Sequence, residues 1–138
     1  MKRSFWLLSA ILSFLIVSCE NDAAKHKTMI IGYWSMEKAI RDTRETSLLN
    51  DVYFRFEKDG FMLTNLPNTP QEPTAFELKE AVIIQKGNPP IEFNILEITD
   101  SILVLSFTMQ NTPFEFQLKK TAPPAPSELV PSTLNDSL

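Results

Sequence analysis

One cysteine, one histidine and three glycines are all that this 138-residue chain has of those types, and each scarcity removes a class of chemistry. A single cysteine, Cys19, has no partner for an internal disulfide. The histidine, His26, lies in a short hydrophilic stretch, Asn21 to Lys27, so a Ser/His/Asp triad or a histidine metal site has no histidine to draw on. Three glycines cannot build a phosphate-cradling loop, and no G-x-x-x-x-G-K-[ST] pattern occurs. Basic residues are scarce too. Of the 13 Lys and Arg, Lys2 and Arg3 fall in the first eighteen residues, leaving 11 against 17 Asp and Glu, a net charge of −6. That balance argues against nucleic acid as a partner, which needs clustered basic residues. It argues equally against an electrostatic grip on anionic lipid. No run is long enough to span a bilayer, since the apolar stretch Phe5 to Val17 falls well short of the roughly 20 residues required.

What is present starts at the N-terminus. Lys2 and Arg3 precede that apolar stretch, which only Ser9 and Ser13 interrupt, and this is the pattern of a secretory signal. The stretch ends in Leu15-Ile16-Val17-Ser18-Cys19, which resembles the lipobox of bacterial lipoproteins. The resemblance implies a signal peptide over residues 1–18, cleavage before Cys19, and diacylglycerol and palmitate-type acyl chains on the cysteine. Each buried acyl CH₂ is worth ~0.8 kcal/mol, so such chains hold a protein on its membrane stably. A cysteine used in this way is no longer a nucleophile or a zinc ligand. Glu20 is not the aspartate that resembles an inner-membrane retention signal, so the expected location is the outer membrane. Glu20 and Asp22 partly resemble the surface-export signal of Bacteroidetes lipoproteins, and the face of the membrane stays open. Residues 19–28 are expected to form the lipidated cysteine and a tether.

From Met29 onward the apolar residues recur with the period of strands. Met29 to Ser35 reads as a first strand. Met36 to Asp51 is polar and carries Glu37/Arg41, Lys38/Asp42 and Arg41/Glu45 at a spacing of four, which suggests a helix or ordered loop. Val52, Phe54 and Phe56 alternate with polar residues up to Lys58-Asp59-Gly60, and Phe61 to Thr64 returns. Asp-Gly between two such runs is a hairpin signal. Pro67 to Pro73 is a stiff loop with three prolines. Thr74–Lys79, Ala81–Lys86, Ile91–Ile98, Ile102–Met109 and Phe114–Lys119 read as further strands. Phe93 and Ile95 share one face while Leu96 and Ile98 share the other, so a bulge is expected near Ile95-Leu96. The Pro/Ser-rich segment 121–138 cannot bury enough to fold. About eight short strands with hairpin-length links over residues 29–120 point to an antiparallel up-and-down barrel, because closure removes both sheet edges. A two-sheet β-sandwich is the alternative.

Gly32-Tyr33-Trp34 on the first strand, Phe56-Glu57-Lys58-Asp59-Gly60 at the first hairpin, and Phe93-Asn94-Ile95 leading to Thr99-Asp100 and Leu103-Val104-Leu105 resemble, in order and spacing, the small lipocalin-like domains of bacterial lipoproteins. The resemblance implies that Trp34 plugs the closed end of a barrel. It also implies that a basic residue of the last strand, from Lys119-Lys120, lies over the tryptophan ring.

Paired carboxylates are the one remaining catalytic possibility, with Glu77, Glu92, Glu97 and Glu115 on expected strands. Glu77, Glu92 and Glu115 alternate with apolar neighbours, as solvated outer-face charges do, and Arg55 is expected to be exposed as well. Catalytic residues, metal ligands and cofactors are therefore not expected, and no enzymatic activity is. Trp34, Phe54, Phe56, Phe93, Phe107 and Phe116 are candidate core or ligand-facing residues, and Phe61, Phe76, Leu105 and Phe114 are expected to point inward with them. That much aromatic volume in eight short strands favours a filled lower barrel with at most a shallow pocket at the open end. The expected partners are the membrane, through lipid on Cys19, and either a small apolar or amphipathic ligand or another envelope protein.

Overall fold

The computed structural model describes residues 20–125; residues 1–19, with the expected signal segment and Cys19, and the tail past residue 125 lie outside the described residues. A helix, α1 (Glu20–Met29), leads into nine strands: β1 (Gly32–Arg41), β2 (Arg44–Thr46), β3 (Tyr53–Phe56), β4 (Phe61–Thr64), β5 (Thr74–Lys79), β6 (Val82–Gln85), β7 (Ile91–Ile98), β8 (Ile102–Met109) and β9 (Thr112–Thr121). Strands β1 and β3 to β9 pair in chain order, and β9 pairs back onto β1, so eight antiparallel strands close into an up-and-down barrel. The sandwich alternative is set aside. β9 takes one edge of β1, from Tyr33↔Thr121 to Arg41↔Phe114, and the other edge is divided. β3 holds it at Gly32–Ser35 and the short arm β2 at Ala39–Arg41.

The segment expected to be a helix or loop, Met36 to Asp51, instead carries the second half of β1 and all of β2. The chain turns at Asp42-Thr43, both with positive φ (47° and 68°). Charge pairs four residues apart are worth only a few tenths of a kcal/mol in a helix. Pairing Met36 to Arg41 with β9 satisfies a whole run of backbone groups and buries Ala39. The charges then pair across strands, as in Lys38–Glu45 at 3.5 Å. A bulge between Met36 and Lys38 shifts the phase, so Trp34 and Ala39 both point inward although they are five residues apart.

The hairpin at Lys58-Asp59-Gly60 forms as expected, with Gly60 at φ 88° and Asp59 Oδ1 accepting from the Phe61 N–H at 3.2 Å. Phe61, however, does not point inward. Phe56 faces Met62, and residues directly opposite share a face, so Met62 and Thr64 are buried while Phe61 stays 43% exposed. The bulge between Ile95 and Glu97 lies where the pattern places it, leaving Leu96 exposed and Phe93 and Ile95 inside.

Of residues 19–28, expected to carry the lipidated cysteine and a tether, the described ones, 20–28, are helical and belong to α1. The helix ends against the closed end of the barrel, where the Ile30 N–H donates to the His26 carbonyl at 3.0 Å. Trp34 lies there, fully buried, its Nε1–H donating to the Ile30 carbonyl at 2.8 Å. Lys120 closes the arrangement. Its Nζ sits 4.8 Å from the Trp34 ring centroid and donates to the Met29 carbonyl at 3.0 Å, placing a cation at the negative end of α1. Gly32 makes room, at φ 135°, because a Cβ there would come within 3.1 Å of Lys120 Cε. The barrel closes within residues 30–121, so a chain starting at residue 20 carries the whole described core.

Replacing Trp34 by Ala should cost about 3–5 kcal/mol in denaturant unfolding, the usual loss for a large buried aromatic. A loss below about 1 kcal/mol would show that the tryptophan does not plug the barrel.

Candidate functional site

The end opposite Trp34 is built from the β1–β2 turn, the loops 65–73 and 86–90, and the β8–β9 turn. Loop 65–73 folds inward over this end. Leu66 and Thr69 are buried, Thr69 Oγ1–H donates to the Leu66 carbonyl at 2.7 Å, and Gln71 Nε2–H donates to the Leu66 and Thr69 carbonyls at 3.1 and 3.0 Å. Asn65 ties the loop to the start of β3, accepting from the Tyr53 N–H at 2.9 Å and donating to the Asp51 carbonyl at 2.9 Å.

Beside that loop the wall opens. The β7–β8 ladder runs from Ile98↔Leu103 up to Asn94↔Ser106 and stops. Above it Ile91 to Phe93 stay with β6, and Phe107 to Met109 stay with β9. Gln110 and Asn111 form a two-residue turn (φ 50° and 64°), which makes Met109 and Thr112 a hydrogen-bonded pair. Alternation then aims the N–H and C=O of Thr108 at the seam. On the other side the Ile95 N–H bonds across to the Ala81 carbonyl (2.7 Å), so the Glu92 backbone groups also face the seam. Asn94 Nδ2–H, donating to the Ser106 carbonyl at 3.3 Å, braces the last rung.

The seam continues into a cleft of about 890 Å³ at the rim. Its inner wall is apolar: Ile91, Phe107, Met109 and Phe114. Phe107 and Phe114 stack at 5.3 Å with 12° between their planes, and Phe107 meets Phe93 and Phe116 edge-on at 5.0 and 4.8 Å. Each such aromatic pair is worth about 0.5–1.5 kcal/mol beyond its buried area, so this wall is firmly packed. The outer wall is polar, with Glu92, Asn94, Ser106 and Thr108, and loop residues Asn68, Gly87 and Asn88. One cation lines it and a second stands beside Phe114. Arg41 shares the inner face with Phe114, its Cζ 6.0 Å from that ring's centroid. Lys86 lines the cleft and binds Glu77 at 2.5 Å. The hydrogen bond from Lys86, with further help from Lys79, holds the Glu77 carboxyl below its usual pKa. A carboxyl lowered on folding contributes stability at neutral pH that is lost on acidification. The pair is exposed, so the contribution is small.

Of the candidate residues, Trp34 lies at the closed end, and Phe54, Phe56, Phe93 and Phe116 fill the interior with at most 1% exposure. Phe54 meets Phe93 edge-on at 5.4 Å, continuing the aromatic packing downward. Phe107 alone of the six lines the cleft. Glu77, Glu92, Glu97 and Arg55 are exposed and Glu115 half-buried. Arg55 pairs with Glu57 on the outer face, beside Tyr33 and Tyr53 stacked at 5.1 Å. Burial, and then Tyr53, push the Tyr33 phenol above its ordinary pKa. Sequence reasoning missed Ile91, Arg41, Asn94 and the polar Gln85 as parts of the open end. Gln85 could have been noticed, since it follows Ile83 at an inward phase.

No protein-family model matches the chain, and no curated protein sequence does. Among solved structures, the crystal structure of a lipocalin-like protein from Bacteroides uniformis ATCC 8492 superposes with a TM-score of 0.50, at 16% identity, over 67% of this chain and 99% of that one. The fold is lipocalin-like. This lipocalin-like barrel has eight closed strands and the extra arm β2, with the cleft at its open rim.

Hydrogen exchange should register the seam. The Thr108 amide should exchange at least about tenfold faster than that of Phe107, which bonds into β9. Equal protection of the two amides would mean that the ladder continues to the rim.

Proposed function

We propose that this chain is a lipid-anchored, non-catalytic envelope protein whose lipocalin-like barrel binds a small amphipathic molecule at the rim cleft, and not deep inside. The carrying observation is the contrast between two regions of one interior. Below, Trp34, Phe54, Phe56, Phe93 and Phe116 leave the barrel filled. At the rim, a cleft with an aromatic inner wall and a polar outer wall offers about 890 Å³, within the range of small-molecule sites. An apolar chain fits against Phe107, Phe114 and Ile91, and a polar group fits at the outer wall. A shallow, half-open site of this kind binds weakly.

Titrating the chain from residue 20 onward with a fluorescent fatty-acid analogue should give saturable binding with Kd above about 1 μM, weaker than roughly −8 kcal/mol. Phe114→Ala should weaken it further. Tighter binding that ignores Phe114→Ala would move the site into the barrel, and no binding of this probe or of an uncharged aliphatic amide or alcohol would defeat the reading.

The anchoring rests on Leu15-Ile16-Val17-Ser18-Cys19, and the outer membrane on Glu20. Replacing Cys19 by Ala should abolish lipidation and leave an unprocessed or soluble form. Normal cleavage and retention of the Cys19→Ala protein in the outer-membrane fraction would contradict the anchor. A second reading, an accessory module of an envelope complex, is favoured by Leu48 and Leu96, exposed at 84% and 58%. A partner protein that co-purifies from solubilised membranes and is lost on Leu96→Ser would support it.

A further inference from the structure

Gln85 is a feature of the interior that packing does not explain. It ends β6 at an inner-face position, directly opposite Phe76 on β5 and Ile91 on β7. It is 1% exposed, and neither its Nε2 nor its Oε1 has a hydrogen-bond partner among the described residues. An amide buried without partners is unfavourable, and an apolar residue of similar size would be more stable there. The buried hydroxyls of this end are committed elsewhere. Thr64 donates to the Tyr53 carbonyl at 2.7 Å and Thr69 to the Leu66 carbonyl at 2.7 Å.

Gln85 is one side chain away from the cleft. Ile91 lines the cleft and is its direct cross-strand partner, a relation that places the two Cβ atoms about 5 Å apart on the same face. The seam beside Ile91 leaves the β7–β8 wall unpaired at this level.

Resting on the rim cleft as the ligand site, we propose that Gln85 is its inner hydrogen-bonding residue. It selects an aliphatic ligand whose buried group is uncharged and both donates and accepts, a primary amide or an alcohol, over one ending in a carboxylate. A primary amide matches Gln85 with two hydrogen bonds, its N–H to Oε1 and its carbonyl from Nε2–H. A carboxylate has no donor for Oε1 and would bring a charge inside without a cation, since Lys86 is held by Glu77 and Arg41 stands exposed at the rim.

Calorimetric titration of the chain from residue 20 onward with decanamide, decanol and decanoate, at about pH 8 where the acid is ionised, tests this. Decanamide and decanol should each bind at least about tenfold more tightly than decanoate. Gln85→Leu should bind decanamide and decanol at least about tenfold more weakly than the natural chain does, with decanoate changed by less than about twofold, while melting at the same temperature or higher. No preference in the natural chain, or affinities for decanamide and decanol that Gln85→Leu leaves unchanged, would overturn the proposal. So would a Gln85→Leu protein that melts well below the natural one, because the amide would then be serving the fold. Binding without preference that Phe114→Ala still weakens would remove Gln85 from the site and leave the cleft standing. Absence of binding by all three would remove both.

Discussion

Closure of β1 against β9 is the constraint on which the rest of this molecule depends. The ladder from Tyr33↔Thr121 to Arg41↔Phe114 turns an open meander into a barrel. It also fixes both ends. At its lower end it sets Lys120 over Trp34 and against the last carbonyl of α1. At its upper end it brings Arg41 to Phe114, at the edge of the cleft. Backbone pairing over ten residues of β1 outweighs the weak helical charge spacing of residues 36–51, because every amide left unpaired inside would cost more than those side-chain pairs return.

Much of the barrel was legible because its strands alternate cleanly. Leu103, Leu105 and Phe107, or Phe116 and Leu118, announce an inner face by period alone, and the Ile95-Leu96 bulge shows as a break in that period. Where the chain inserts a residue, the pattern misleads. The bulge at Glu37 moves the inner face from even to odd positions, so Trp34 and Ala39 do not read as one strand. The length of the β3–β4 turn decides whether Phe61 or Met62 faces Phe56, and composition does not fix that length. The cleft was least visible. It exists because one ladder stops at Asn94↔Ser106, a fact of strand divergence that no single residue declares. Only its Phe107 and Phe114 stood out as apolar, inward positions.

The filled interior and the open rim are physically one structure. Phe54, Phe93, Phe107 and Phe114 form a continuous series of ring contacts from mid-barrel to cleft. A rim site on so rigid a support presents its inner wall already formed, and a ligand need not order it at the cost of its own binding energy. Polar adaptability is confined to the outer wall and the loops above it.

The helix α1 fixes the end at which the N-terminal side of the chain joins the barrel. It enters the barrel at the closed end, beside Trp34, and runs ten residues back to Glu20, a span of about 15 Å. α1 does not stand free there: His26 Nδ1 lies 3.4 Å from the Glu80 carbonyl, in the β5–β6 turn at that same end. A lipid on the residue before Glu20, as proposed, would tether the molecule through its closed end, and the cleft would then be loaded from the opposite rim.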